Sequence, residues 1–79
     1  MNKPITIYVN TRPKEVEDKK ITFEQVVVLE YGAYDTNPQV SYTVTYSKGN
    51  NDNEGEMDKG SSVTVKKGMR FIVTKTDKS

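Results

Sequence analysis

Ile21-Thr22-Phe23-Glu24-Gln25-Val26-Val27-Val28-Leu29-Glu30-Tyr31-Gly32 is the stretch on which the architecture turns. Three consecutive valines are poor helix formers, and taken alone they favour a strand. Their flanks argue the other way. Thr22 and Gln25 stand at the spacing of a capping box: the threonine hydroxyl accepts from the Gln25 amide, and the Gln25 side chain reaches back to the Thr22 amide. Ile21 and Val26 are placed for a hydrophobic staple across that cap. Glu24 in the first turn suits the helix dipole, and Gly32 supplies a left-handed stop. Phe23, Val26, Val27 and Glu30 share the three-four spacing, so the inward face begins apolar and ends polar. The segment reads as a short helix.

Outward from it the periodicity changes to two. Residues 5–10 alternate, with Ile5, Ile7 and Val9 on one face, as in a half-buried strand. Asn10 to Pro13 are turn residues, and residues 14–18 read as a short charged edge strand anchored by Val16. Beyond the helix, residues 34–39 form a loop broken by Asn37 and Pro38. Residues 41–47 are the most regular strand, with Tyr42, Val44 and Tyr46 on one face and small polar residues on the other. Residues 48–60 read as a polar loop anchored only by Met57, residues 62–66 as a short strand with Val63 and Val65 inward, and Lys67-Gly68 as a turn. Residues 69–74 close the series, and the run Phe71-Ile72-Val73 is expected in a central, buried strand. One helix hides only one face of a sheet, so the expected class is α+β, a mixed five-stranded sheet with the helix packed across one face and the other face solvated. Its core would hold Ile5, Ile7, Val9, Phe23, Val26, Val27, Tyr42 or Val44, Val63, Val65, Phe71 and Val73, with the first and last strands as central neighbours.

Composition excludes several function classes. Seventy-nine residues suffice for one domain. Charged residues make up 29% of the chain, but their signs are intermixed and the net charge is +1. No footprint for nucleic acid or an anionic membrane results. There is no Cys for a disulfide or thiolate metal site and no His for general-base chemistry. No carboxylate pair is isolated in an apolar setting, so neither catalysis nor a cofactor is expected. The N-terminus lacks the pattern of a signal peptide, and no apolar run approaches the ~20 residues needed to span a bilayer. A soluble, cytoplasmic domain is the expectation. Asn50, Asp52, Glu54 and Gly55 imitate the start of a calcium loop, but the twelfth position is Ser61, not glutamate. Lys66, Lys67 and Arg70 read as a solvated turn and an exposed strand position. Tyr42 and Tyr46, with Val44 between them, read as core aromatics and not as a base-stacking platform.

Ile5 to Lys14, with its Val9-Asn10-Thr11-Arg12-Pro13 turn, resembles the opening of bacterial multiubiquitin-type domains, which typically carry Val-Asn-Gly-Arg-Pro there. Ile21 to Val27 is similar to their helix start, Tyr42 to Tyr46 to their third strand, and Gly68 to Thr74 with Thr76-Asp77-Lys78-Ser79 to their ending. The resemblance covers nearly the whole chain. It implies a ubiquitin-like β-grasp domain over residues 1–75 and a flexible conjugation tail, Thr76, Asp77, Lys78 and Ser79. It further implies a protein modifier served by a ubiquitin-activating-like enzyme, a conjugating enzyme and a deconjugating peptidase, with protein targets and with antiphage defence as the setting. On that basis the terminal carboxylate is adenylated with ATP, passed to a partner enzyme and joined to a target amine. The tail departs from ubiquitin in lacking Gly-Gly, whose missing side chains suit narrow enzyme channels. The expected partner surface is the polar sheet face carrying Thr43, Thr45 and Arg70, with Ile72 its one apolar member. The alternative is a non-covalent interaction module of the same fold.

Overall fold

The computed structural model describes residues 3–47 and 54–77. In chain order the elements are β1 (Ile5–Val9), β2 (Arg12–Val16), β3 (Lys20–Thr22), α1 (Phe23–Tyr31), β4 (Val40–Ser47), β5 (Glu54–Met57), β6 (Ser62–Thr64) and β7 (Arg70–Asp77).

The valines are helical, and the cap is the reason. The Gln25 N–H donates to Thr22 Oγ1 at 3.1 Å and the Thr22 N–H donates to Gln25 Oε1 at 2.9 Å, so both halves of the capping box form. At the other end Gly32 adopts φ 82°, and its N–H donates to the Val28 carbonyl at 2.8 Å. Between these stops Phe23, Val26 and Val27 are buried.

Five strands form one sheet in the order β2-β1-β7-β4-β5. The central pair, β1 and β7, is parallel, and the other neighbours are antiparallel. The two ends of the chain thus run side by side, and α1 packs across one face, as in a ubiquitin-like β-grasp fold. The core between helix and sheet holds Ile7, Val9, Val44, Phe71 and Val73 from the strands and Phe23, Val26 and Val27 from the helix. Val65 joins them as expected, whereas Ile5, Tyr42 and Val63 pack only partly against the cluster. Ile21, Met57 and Met69 are further core members.

Several expectations change. Residues 48–60 are not wholly loop, because they contain β5, which pairs with β4. Its single apolar residue, Met57, sits opposite Val44, and its glycine sits opposite Tyr46. A Cβ at Gly55 would lie 2.5 Å from the Tyr46 ring, so the absence of a side chain is what admits that ring. The short strand expected at 62–66 pairs instead with β3 in a separate two-stranded ribbon. Continuous with that ribbon, the helix starts where the Phe23 N–H donates to the Ser61 carbonyl at 3.1 Å. The second strand begins at Arg12 and ends at Val16, two residues earlier than its charges indicated. The last strand runs on through Asp77. Within it the expectation of a continuously buried run fails at Ile72, which is 60% exposed, because one helix covers only one face of a central strand. The incomplete calcium pattern falls partly on residues 48–53, outside the described residues, and Glu54 and Gly55 belong to β5.

The β1–β2 turn carries strain. Val9 pairs with Arg12 across a two-residue loop, in which Asn10 has φ 50° and Thr11 φ 71°. Two positive φ values are the mark of a type I′ hairpin, where Asn-Gly is the favoured pair and a β-branched residue is an outlier. Thr11→Gly is therefore expected to raise stability by about 1 kcal/mol, or roughly 4–8 °C in Tm for a domain of this size. Thermal unfolding followed by circular dichroism checks this, and an unchanged or lower Tm would show that the turn holds threonine without strain.

Candidate functional site

The sheet face turned away from α1 collects the residues expected at the partner surface. On β4 and β7, Thr45 lies opposite Ile72, Thr43 opposite Thr74 and Ser47 opposite Arg70. Antiparallel partners share a face, so Thr43, Thr45, Arg70 and Ile72 are brought together. Tyr8 joins them from β1, beside Arg70 across the parallel pair, and is 37% exposed. Sequence reasoning passed over Tyr8, although the same alternation that puts Ile7 and Val9 inward puts Tyr8 outward. A depression of about 970 Å³ runs between Tyr8, Thr45, Ser47, Glu54, Arg70 and Ile72. An aromatic ring and an isoleucine, flanked by one guanidinium and one carboxylate, suit protein docking. Among the described residues no group of three or more carboxylates is arranged to hold a metal ion.

The tail residues divide. Thr76 pairs with Ser41 and Asp77 with Val40, so both continue β7 as exposed strand residues. Lys78 and Ser79 lie outside the described residues. What leads β7 outward is an arrangement at Asn10 that spacing did not reveal. β1 stops at Val9, and the Asn10 side chain supplies the next rung of the sheet in its place. Its Oδ1 accepts from the Val73 N–H at 2.9 Å and its Nδ2 donates to the Val73 carbonyl at 3.0 Å. The same Nδ2 donates to Glu30 Oε2 at 2.8 Å, tying the end of α1 to both central strands. Glu30, read as the polar end of the helix face, is thereby an acceptor in a half-buried network, and its Oε1 is buried without a partner.

Across the sheet, on the helix side, Tyr34 and Tyr42 pack with ring centroids 5.0 Å apart, and Tyr31 and Phe23 extend the cluster at 5.9 and 6.4 Å. The Tyr42 hydroxyl accepts from the Asp35 N–H at 3.0 Å. Burial, then the Glu24 carboxylate and Tyr42, raise the Tyr34 phenol above its ordinary value. The sign of the linkage follows: stability owed to this group is complete below pH ~10 and is lost as pH rises beyond it. Tyr42 and Tyr46 both lie on this inner face with Val44 and are half-buried, as core aromatics are.

No helix among the described residues is long and apolar enough to cross a membrane. A family model described as multiubiquitin matches residues 5–77. No curated protein and no solved structure matches the chain.

Proposed function

The chain belongs to the multiubiquitin family, and on that premise we propose that it serves as a bacterial ubiquitin-like protein modifier. In this reading a carboxylate at the end of the tail, carried by Ser79 in this sequence, attacks the α-phosphate of ATP in an activating enzyme and displaces pyrophosphate. A nucleophile of the enzyme system then displaces AMP, and a target amine displaces that nucleophile, forming an amide and releasing a proton. The chain is the group transferred and not the catalyst, and a deconjugating peptidase would hydrolyse the new bond. A cytoplasmic role in antiphage defence belongs to the same proposal.

The supporting observation is the course of β7. Past Val73 it runs beyond the β1 pairing, its register with β4 continuing to Asp77 opposite Val40. An extended chain end is the form in which a peptide enters a narrow channel. Because the tail carries Asp77, Lys78 and Ser79 where ubiquitin has small residues, the cognate channel would have to accept side chains. A second reading has a specific observation behind it: with Ile72 60% exposed beside Tyr8, the outer sheet face could act as a non-covalent docking module.

The two separate on the tail. The N-terminally tagged chain would be expressed in its native host beside its neighbouring genes, recovered and digested for mass spectrometry. Tail peptides joined to lysines of other proteins are expected, and deletion of residues 76–79 should abolish them entirely. Unmodified chain whose co-purifying proteins survive that deletion, but are lost with Ile72→Arg, would replace the modifier by the docking module.

A further inference from the structure

We infer that the outer side of α1 forms a second docking groove, separate from the sheet face, whose occupant is a basic amphipathic helix of a partner protein. The helix carries more apolar surface than its packing uses. Val28, on its outer side, is 43% exposed. Surface helices of small domains ordinarily place charged residues there. Valine at such a position costs helix propensity while over two-fifths of its surface stays exposed, a local conflict of the kind that collects at functional positions. Beside Val28 a groove of about 500 Å³ opens between α1 and the segment leaving β2, with Val16, Ile21 and Leu29 along it.

Charge selects the occupant. Glu17, Asp18 and Glu24 line this groove against a single lysine, Lys20. Three carboxylates and one ammonium give a local −2 on a chain whose net charge is +1. That sign repels phosphate backbones and anionic membranes and favours a cationic partner. A second copy of the chain is a poor fit, because a two-fold contact would set the same acidic rim against itself. An apolar stripe for Val28 and Leu29, flanked by lysine or arginine for the rim, meets both requirements in the helix-in-groove mode.

The test uses two fluorescent synthetic helices of about four turns, one of leucine and lysine and one of leucine and glutamate, titrated into the intact chain and mapped by amide chemical shifts. The Leu/Lys helix is expected to bind, shifting Glu17, Val28 and Leu29, while the Leu/Glu helix does not. Glu17→Lys combined with Asp18→Lys should reverse that preference. Val28→Lys, at an exposed position the fold does not depend on, should weaken Leu/Lys binding about tenfold. Absence of binding, equal binding of the two helices, shifts centred on Tyr8 and Ile72, or concentration-dependent self-association through the groove would each overturn the proposal.

Discussion

Asn10→Ala is expected to lower the stability of the domain by about 2–4 kcal/mol, more than its place in a surface turn implies. The residue makes three hydrogen bonds that alanine cannot, two to the Val73 backbone and one to Glu30. Their loss strands an N–H and a carbonyl on a central strand and leaves Glu30 without its one hydrogen-bonded oxygen. Unpaired groups in a part-buried site cost more than the bonds themselves contribute. Alanine also tolerates φ 50° less well than asparagine. Asn10→Gly isolates the two effects, since it keeps the turn and removes the amide. Urea unfolding gives the magnitude, and hydrogen exchange at Val73 gives the location. Protection of that amide should fall in both variants; full protection in Asn10→Gly would show that the side-chain rung is dispensable. Asn10→Asp would retain the acceptor for Val73 but set a carboxylate against Glu30. Two like charges that close are unfavourable, so that variant should be less stable than Asn10→Gly, with added salt narrowing the gap.

The second large effect is expected from Phe71→Ala, at about 3–5 kcal/mol. Phe71 is 1% exposed on β7, with Val9 beside it on one neighbouring strand and Tyr46 on the other. The Tyr46 ring centroid lies 6.4 Å from that of Phe71. A domain of this length has roughly 4–12 kcal/mol in total, so the truncation removes a large share and could leave the chain mainly unfolded. Phe71→Leu retains most of the volume and should remain folded at an intermediate stability. The next residue is the control. Ile72→Ala, on the outer face, should change stability by no more than about 0.5 kcal/mol. A comparable loss at both positions would mean that the outer face is covered and that Ile72 is not available to a partner.

The contrast between Phe71 and Ile72 shows how far local pattern carries. Apolar character alone placed both in a buried run, because nothing within β7 states that a single helix covers a single face. The helix was legible for the opposite reason. Thr22, Gln25 and Gly32 act over three or four residues, and hydrogen bonds of that range overrode the strand preference of Val26, Val27 and Val28. Alternation at Ile5, Ile7 and Val9 and at Tyr42, Val44 and Tyr46 was equally local, and so was the outward set Thr43, Thr45 and Arg70. These patterns carried the class of fold, the family resemblance and most of the outer face. β5 and the β3–β6 pairing were beyond their reach, since strands of three or four residues with a single apolar anchor are defined by partners such as Val44 and Ile21 elsewhere in the chain. Asn10 is the extreme case. Its composition and position announced a turn, yet its main contact is with Val73, 63 residues away. Short-range hydrogen bonding and side-chain period are written into neighbouring residues; which backbone group needs a partner, and which face stays wet, depends on what the rest of the chain brings alongside.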